Sequence, residues 1–278
     1  MPEMPEVQAH AERLTEWFGG AELARFVALA FTALKTVEPP PDEAYGEALD
    51  AVTRRGKHLL FGFDSATFVV HLMQGGRLRV DEKQAARPRG GQARWRFTDG
   101  RALLLTEAGT EHKAGVWVVA GDPRGQPPLD ELGPEAEHVD TTQLAKLLAT
   151  HPMRLHGWLR DQRIVAGLGR RLANEICHRA KLSPFASTAK LDKGAVDRLH
   201  EAIGACIAES LADERARADM SSSKERPGAV HHRTGQNCPR CGDQIRAVNY
   251  SAYTVNYCPN CQTDGKVLAD NTTSRFLK

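Results

Sequence analysis

The stretch CPRCGDQIRAVNYSAYTVNYCPNC (238–261) holds two Cys-x2-Cys pairs that are separated by sixteen residues. Four thiolates at this spacing surround one metal ion tetrahedrally, and Zn²⁺ is the ion typical of such sites. Because cysteine fills all four positions, the pattern predicts a closed, structural site with the ligands Cys238, Cys241, Cys258 and Cys261. The alternative is a pair of redox dithiols, which two equally spaced pairs across a short hairpin disfavour.

The residues between the two pairs, AVNYSAYTVNY (247–257), alternate as a β-hairpin does. A bound metal would supply the folding free energy that a module of about forty residues lacks on its own. A zinc hairpin beside basic residues can lay its turn on a phosphate backbone. It can equally serve protein contacts, and the cysteines alone leave both uses open.

The bulk composition indicates a globular protein with an ordinary core. The chain has 278 residues, 41% of them hydrophobic, and six cysteines. No run approaches eighteen apolar residues, so we expect no membrane span, and no secretory signal is recognisable at the start. The sparse cysteines favour a reducing, cytoplasmic setting, and we expect Cys177 and Cys206 to be plain core residues on helices.

Charge is segregated along the chain. Residues 122–150 hold 2 Lys+Arg against 6 Asp+Glu, whereas residues 151–278 hold 20 against 13. A basic C-terminal half favours a polyanionic partner such as nucleic acid. An ordinary solvated surface with a modest bias is the alternative.

Periodicity predicts a multidomain α+β protein. Val7, Ala11, Leu14 and Phe18 recur at helical spacing before Gly19. Short segments rich in Val, Phe and Leu follow and predict a β-sandwich or barrel of about 120 residues: ARFVALAF, HLLFGF, TFVVHLM, RWRF, ALLL and VWVVA. After an acidic connector at 121–140, four segments have helical periodicity: TQLAKLLATH, HGWLRDQ, LANEICHRA and AVDRLHEAIGACIAESLADE.

A glycine-containing turn, AGLG (166–169), lies between two of these helical segments. Glycines let the backbone approach a ligand closely, and the free amides that begin a helix suit a phosphate group. Arg170 and Arg171 add positive charge at this point. An ordinary interhelical turn with exposed arginines is an equally good interpretation of the turn by itself.

Taken in order, these features resemble the formamidopyrimidine-DNA glycosylase/endonuclease VIII family of base-excision enzymes, over essentially the whole chain. The motifs that carry the resemblance are P-E-x-P-E-V at 2–7, R-x-G-K at 54–57, A-G-L-G-x5-E at 166–175 and the four cysteines followed by Gln262. The segments LRDQ, LSPF and YCPNCQTDGKVLAD resemble the actinobacterial branch. The resemblance implies a β-sandwich catalytic domain (1–121), a helix-two-turns-helix domain (122–235, with 122–140 as linker) and a zinc finger with a C-terminal tail (236–278).

The resemblance also implies the chemistry. In the family the initiator methionine is removed, and the secondary amine of the proline, here Pro2, attacks C1′ of the damaged nucleotide. The Schiff base that results allows β,δ-elimination of the abasic strand, so the enzyme is both a glycosylase and an AP lyase. Glu3 is implied as acid/base and Glu6 as support for the N-terminus, with helix capping as the simpler role of Glu6. Lys57 matches the family's hairpin lysine, which contacts DNA beside the lesion.

The damaged base must leave the helical stack to reach Pro2. In the family, a loop after a sandwich strand fills the gap, and HLMQGG (71–76) matches that loop. The family pattern H-L-G-M-S-G has its methionine one place later, so either Met73 or Gln74 is expected to enter the duplex. His71 is expected to be a packed or phosphate-contacting residue rather than a catalyst.

Two positions depart from the family pattern. Arg170 stands where the family has asparagine, and Tyr253 stands where the family has the phosphate-binding arginine of the zinc hairpin. One lost charge-assisted contact costs on the order of 1.5–3 kcal/mol unless Arg170 or Arg171 compensates. About twenty residues separate Ala216 from Cys238, where family members that recognise 8-oxoguanine often carry a longer loop. We therefore expect oxidised pyrimidines, ring-opened purines or an unusual adduct to be preferred over 8-oxoguanine.

Three function classes remain open from the sequence. The first is a bifunctional glycosylase/AP lyase, the second is a catalytically silent relative that binds damaged DNA, and the third is a zinc-ribbon interaction module on an unrelated sandwich. Under the first two, the partner is damaged double-stranded DNA, and the affinity falls steeply with salt. We expect a monomer in the bacterial cytoplasm, associated with the nucleoid, with one structural Zn²⁺ and no nucleotide cofactor.

Overall fold

A computed structural model of the chain describes residues 1–109, 112–217, 220 and 226–268. The chain divides into two compact units. The first unit comprises Met1–Glu131 and Ser210–Glu225, and the second comprises Leu132–Glu209 and Arg226–Lys278. None of the helices in the described ranges is long and apolar enough to cross a membrane. The three-part domain division at 121 and 235 stays a prediction.

The first unit begins with helix α1 (Met4–Phe18). Its buried face includes Val7, Leu14 and Phe18, which are at most 1% exposed, as the helical spacing predicts. Pro5 lies in the first turn, where its missing N–H costs no helical hydrogen bond. The helix ends before Gly19, whose amide donates to the carbonyl of Thr15.

Eight strands follow and form two antiparallel four-stranded sheets. They are β1 (Leu23–Ala28), β2 (Val52–Arg55), β3 (His58–Gly62), β4 (Ala66–His71), β5 (Gly76–Val80), β6 (Gly91–Phe97), β7 (Ala102–Glu107) and β8 (Gly115–Ala120). One sheet has the order β1-β6-β7-β5 and the other has the order β2-β3-β4-β8. The predicted β-sandwich is confirmed.

Aromatic rings from both sheets meet at Trp95, which is fully buried. On its inner side, Phe61 from the other sheet stacks on the Trp95 ring, with centroids 5.3 Å apart and an interplanar angle of 7°. Phe26 and Phe68 approach the same ring at 5.1 Å and 6.4 Å. Large aromatic side chains bury much apolar surface, so this cluster joins the two sheets into one core.

A buried ion pair in the first unit gives a stability prediction. Arg94 Nε lies 2.7 Å from Asp81 Oδ2, with the side chains only 2% and 7% exposed, and the Arg94 Nη2 also donates to the carbonyl of Ala85. Asp81→Asn leaves a buried guanidinium uncompensated, so we expect it to lower the free energy of unfolding by about 3–5 kcal/mol. Urea-induced unfolding monitored by tryptophan fluorescence measures this loss.

The matched control is a surface pair of the same unit. Arg101 and Asp99 lie 2.6 Å apart but are 46% and 41% exposed. Because water screens this pair, Asp99→Asn is expected to cost less than about 1 kcal/mol. Equal losses from the two variants would contradict the importance given to the buried pair.

The second unit contains helices and a β-hairpin that is flanked by the four clustered cysteines. The elements are α2 (Thr141–Thr150), α3 (Leu155–Arg160), α4 (Arg170–Arg179), α5 (Lys193–Arg215), β9 (Arg246–Asn249), β10 (Thr254–Tyr257) and α6 (Pro259–Gln262). The last turns of α5, from Ser210, belong to the first unit. Cys177 and Cys206 are buried as predicted, and burial raises the pKa of the Cys206 thiol to about 11.

Candidate functional site

The start of α1 concentrates buried polar groups. Glu3 is the N-cap residue, and it forms a capping box with Glu6, whose carboxylate accepts from the Glu3 N–H. The two carboxylates are 4% and 1% exposed, and Pro2 is buried beside them. Capping is thus one role of Glu6, as the simpler interpretation held. The capping box fixes the direction in which Pro2 and Glu3 leave the helix.

Lys57 lies in the two-residue turn between β2 and β3, next to Gly56. Gly56 has φ +56°, a conformation that glycine adopts without strain. The turn holds the Lys57 side chain largely out of solvent, at 5% exposure. The sequence predicted this lysine directly before a strand, and β3 begins at the next residue.

His71, at the end of β4, is paired across the sheet with His58 of β3. Their ring centroids are 4.5 Å apart. The pKa of His71 is lowered to about 3, chiefly by burial and also by the charges of His58, Lys57 and the N-terminal amine. The N-terminus, the hairpin lysine and His58 therefore all lie within electrostatic reach of His71 in the first unit. The sequence did not predict His58, because its contact with His71 depends on strand register.

His71 also shapes the loop that follows it. Its Nδ1 accepts a hydrogen bond of 3.1 Å from the Met73 N–H. Met73 has φ +50°, in the left-handed region, and is half-buried, whereas Gln74 is exposed. Gly76 follows with no room for a Cβ, which would lie 2.2 Å from the Leu72 carbonyl oxygen. The loop is a tight turn whose tip presents Gln74 to solvent.

The histidine pair predicts an acid-sensitive first unit. The pKa of His58 is lowered to about 4, chiefly by burial and also by the charges of Lys57 and Arg55. A hydrogen bond with the Arg55 backbone acts in the opposite direction and raises it. Because the unfolded chain has the ordinary pKa of about 6.5, it binds more protons than the folded chain between pH 6.5 and 4. This contribution is fully present above pH 6.5 and is lost as the pH falls towards 4.

Both chains are expected to become less stable between pH 6.5 and 4.5. In His58→Phe, which keeps an aromatic ring, the free energy of unfolding should fall by about 1–3 kcal/mol less than it does in the parent. Urea unfolding at a series of pH values measures this difference. His138→Gln removes a histidine that is 75% exposed and should leave the pH profile unchanged. Parallel profiles for His58→Phe and the parent would contradict the prediction.

In the second unit, Gln162 holds the glycine turn that precedes α4. Its Oε1 accepts from the Gly167 N–H at 3.0 Å, and its Nε2 donates to the Leu168 carbonyl at 2.9 Å. Gly167 has φ +101°, which a side chain would strain. Helix α4 then begins at Arg170 with Gly169 as N-cap, so the turn predicted at 166–169 is confirmed.

Tyr253, in the turn of the β9–β10 hairpin, packs against Arg170 within the second unit. The Arg170 Cζ lies 5.7 Å from the Tyr253 ring centroid, and the Arg160 Cζ lies 4.1 Å from it. The rings of Tyr250 and His156 stack on the same ring at 4.7 Å and 5.9 Å. The sequence predicted Arg170 and Tyr253 but not the other three. The sequence signal that could have located Tyr250 is its spacing of three residues from Tyr253 across a hairpin turn.

Arg171 has a different environment from Arg170. Two nitrogens of its guanidinium, Nε and Nη2, are buried atoms. Both side chains are half-buried, so the two arginines that begin α4 differ in their surroundings and not in their burial class.

The four predicted cysteines come together at the base of the hairpin. Their sulfurs all lie within 4.8 Å of one another, with Cys238 and Cys261 at 3.9 Å and Cys241 and Cys258 at 3.4 Å. Four sulfurs at metal–sulfur distances of about 2.3 Å in a tetrahedron are separated by a little under 4 Å. The cluster therefore has the donor set and spacing that a tetrahedral metal ion needs.

Neighbouring side chains fix this cluster from α4 and α6. His178 Nε2 lies 3.2 Å from Cys238 Sγ, and the side-chain Oε1 of Gln262 accepts from the Cys258 N–H at 2.8 Å. Glu175 of α4 accepts backbone N–H bonds from Ala229 and His231, at 2.7 and 2.8 Å. The glutamate of the A-G-L-G-x5-E motif thus anchors the segment that precedes the cysteines.

Comparison with known proteins gives two family matches. Residues 1–110 match the formamidopyrimidine-DNA glycosylase N-terminal domain, and residues 132–222 match the formamidopyrimidine-DNA glycosylase H2TH domain. The formamidopyrimidine-DNA glycosylase of Symbiobacterium thermophilum is 31% identical over 94% of this chain and 89% of its own length. An uncharacterized formamidopyrimidine-DNA glycosylase-like protein of Mycobacterium tuberculosis is 42% identical over 55% of this chain and 99% of its own length.

Solved structures are similar in fold. A structure of MutM in complex with DNA containing carbocyclic 8-oxo-G matches 94% of this chain and all of that chain, with a TM-score of 0.83 and 23% identity. A Lactococcus lactis formamidopyrimidine-DNA glycosylase bound non-covalently to DNA with an AP site matches 94% of this chain and 99% of that chain, with a TM-score of 0.81 and 23% identity.

Proposed function

Because the chain belongs to the formamidopyrimidine-DNA glycosylase/endonuclease VIII family, we propose that it is a base-excision-repair DNA glycosylase with AP lyase activity. The observation that carries this proposal is the preserved chemistry of the first unit. Pro2 and Glu3 lie at a capped helix start, and Lys57 lies in a hairpin turn, all inside the matched N-terminal domain. A protein that had lost catalysis would have no reason to retain these residues together.

The proposed nucleophile is the nitrogen of Pro2 after Met1 has been removed. An α-amino group has a pKa of about 8, so a useful fraction is neutral at physiological pH. This nitrogen forms a bond to C1′ as the glycosidic bond breaks, and the base departs with a proton. The sugar ring then opens and leaves an iminium ion, which accepts the electrons of the C2′–H bond when that proton is removed. The enamine formed in this way expels the 3′ phosphate, which leaves with the electrons of its C3′–O bond, and a second elimination expels the 5′ phosphate. Glu3, buried beside the amine, moves the protons of ring opening and elimination.

The other residues of the first unit bind and position DNA. Lys57 contacts DNA beside the lesion and supplies a proton to the departing base. Met73 or Gln74 fills the gap that the extruded nucleotide leaves. The exposure of Gln74 favours it as the residue at the tip, with Met73 supporting the loop. His71 acts through the hydrogen bond that holds Met73.

The second unit supplies the proposed grip on the phosphate backbone. Arg170, Arg171 and Tyr253 are the residues proposed to form the DNA-binding surface there. The metal is proposed to be one structural Zn²⁺, which the four cysteines would hold as thiolates. The partner is damaged double-stranded DNA, bound by a monomer in the bacterial cytoplasm.

Strand cleavage tests the proposed activity. The mature protein is incubated with an end-labelled duplex that contains one abasic site, and the products are separated on a denaturing gel. Successive β and δ elimination is expected to leave phosphate at both ends of the gap. Salt-sensitive DNA binding without cleavage, by protein shown by intact mass to lack Met1, would favour the damage-binding alternative. The absence of any DNA binding at low salt would favour an interaction module.

The short segment before the cysteines predicts the preferred lesion. Only about twenty residues separate Ala216 from Cys238, and residues 218–219 and 221–225 within it lie outside the described part of the chain. We expect duplexes with 5-hydroxyuracil or dihydrouracil to be cleaved at least about tenfold faster than duplexes with 8-oxoguanine, which corresponds to about 1.4 kcal/mol. Single-turnover cleavage rates measure this ratio, and a clear preference for 8-oxoguanine would contradict the prediction.

A further inference from the structure

Three chain segments bring two arginines to one aromatic ring in the second unit. Arg160 is the last residue of α3, Arg170 is the first residue of α4, and Tyr253 lies in the hairpin turn. The two guanidinium carbons lie 4.1 and 5.7 Å from the Tyr253 centroid, so they are no more than 9.8 Å apart. Guanidinium groups at these distances are held by the negative face of the ring.

These two positive charges are not balanced by carboxylates. Among the described residues, neither the Arg160 nor the Arg170 guanidinium has an ion pair or a hydrogen bond. Both side chains are half-buried. Burial lowers the pKa of Arg170, and the neighbouring Arg160 charge lowers it further. Like charges held together in this way are stabilised when an anion lies between them.

The remaining rings of the cluster contribute shape and no charge. His156 is 3% exposed, and its pKa is lowered to about 3, chiefly by burial and also by the charge of Arg160. It is therefore neutral at physiological pH. Its ring and that of Tyr250 lie nearly parallel to Tyr253, at 13° and 14°. This stack limits the freedom of the Tyr253 ring, and hence of the arginines that it holds.

We infer that Arg160 and Arg170 together bind a phosphate of the DNA backbone, and that Tyr253 is the positioning residue that holds both guanidinium groups for this contact. The inference rests on the proposed function, and it assigns a DNA-contacting role to Arg160. A guanidinium that stacks on an aromatic face keeps its N–H edge free for oxygen ligands. A phosphate oxyanion matches two such edges, and the Tyr253 hydroxyl need not contact DNA. The charge lost at position 253 is thereby replaced from the two helices.

The experiment measures binding of the full-length protein to a short duplex with a tetrahydrofuran abasic-site analogue, which the enzyme cannot cleave. Affinity is followed over a range of salt concentrations. Arg160→Gln and Arg170→Gln are each expected to weaken binding about tenfold, and the double variant to reduce the salt slope by about one to two. Arg154→Gln is the matched control, because Arg154 is also stacked on a ring, that of Phe185, at 5.7 Å. It should change affinity less than about threefold.

Variants at position 253 test the positioning role. Tyr253→Phe keeps the ring and is expected to bind within about twofold of the parent, whereas Tyr253→Leu is expected to bind about five- to tenfold more weakly. In the Arg160→Gln/Arg170→Gln background, Tyr253→Leu should have no further effect, because its contribution passes through the arginines. A merely structural role would give the same loss in both backgrounds.

Three results separate the phosphate site, the positioning role of Tyr253 and the proposed function from one another. If the parent protein binds and cleaves abasic DNA but the arginine variants behave like Arg154→Gln, the phosphate site is wrong and the activity stands. An undiminished effect of Tyr253→Leu in the double-variant background would overturn the positioning role. If the parent shows no salt-dependent DNA binding at all, the proposed function itself fails.

Discussion

Protein that begins at Pro2 is expected to be cross-linked to abasic DNA by borohydride, and protein that retains residues before Pro2 is expected to give no cross-link. The reason is the state of one nitrogen. In a chain that retains Met1, the Pro2 nitrogen is a tertiary amide whose lone pair is delocalised into the carbonyl group. It cannot form an iminium ion, so we expect a loss of at least about 10³-fold in cross-linking and strand cleavage.

The two samples can be prepared from one sequence. Both are expressed with the same N-terminal tag. In one sample the tag is cleaved off so that Pro2 becomes the first residue, and in the other sample the tag is left in place. Intact mass verifies each N-terminus, and a denaturing gel after borohydride reduction measures the cross-link. Equal cross-linking by the two samples would show that another amine, such as a lysine, is the nucleophile.

Substitution of Pro2 distinguishes the contribution of a terminal amine from the contribution of the pyrrolidine ring. Pro2→Gly still offers a terminal amine. Because this amine is primary, it forms a protonated imine, which can lose its N–H proton and become a neutral imine. The secondary amine of proline gives a permanently charged iminium ion, which is the stronger electron sink. Pro2→Gly is therefore expected to retain some cross-link and to lose more of its lyase activity.

The capping box supplies a matched pair of variants for the proton-transfer role. Glu3 and Glu6 are both buried at the same helix start, and glutamine keeps the size of each side chain. Glu3→Gln is expected to slow cleavage by about 10²–10⁴-fold, because a proton-transfer group is lost. Glu6→Gln is expected to act mainly on stability, by about 1 kcal/mol. Similar activity losses from both would mean that the helix start, rather than Glu3, controls the rate.

The sequence predicted most of the sandwich but missed two of its four edge strands. Strands β2 (VTRR) and β5 (GRLRV) were not predicted, and each lies at the edge of its sheet. Edge strands of natural proteins carry charged residues that discourage pairing with other chains, so their hydrophobic pattern is weak. In the opposite direction, the segment ARFVALAF suggested a strand through Phe31. Strand β1 ends at Ala28, and Phe31 is fully exposed.

The residues of the candidate sites also divide into those that the sequence predicted and those that it did not. Motifs located Lys57 and the four cysteines, because spacing along the chain determines how a hairpin or a metal cluster forms. The contact of Arg160 with Tyr253 joins residues that are 93 positions apart, and the His58–His71 pair depends on strand register. Contacts of this kind follow from tertiary packing and leave no local pattern in a single sequence.

Removal of the metal is expected to unfold the hairpin at 238–261. The hydrophobic cluster around the cysteines consists of Val230, Cys238, Ile245 and Cys258, with Cys261 packed against it. So small a core cannot order some twenty residues, whereas a structural Zn²⁺ contributes about 10–16 kcal/mol of apparent binding free energy. Burial raises the pKa of Cys258 and Cys261, so these sulfurs need a bound cation to remain thiolates at physiological pH.

Metal analysis and hydrogen exchange test this expectation. The purified protein should contain one zinc per chain, and a chelator or Cys258→Ala should remove it and abolish exchange protection in β9 and β10. Cys206→Ala is the matched control, since it removes a buried cysteine outside the cluster and should retain one zinc. Because Tyr253 lies in the same hairpin, metal loss should also weaken DNA binding at least about as much as Tyr253→Leu does, by five- to tenfold or more. A hairpin that stays protected without metal would contradict the structural role of the site.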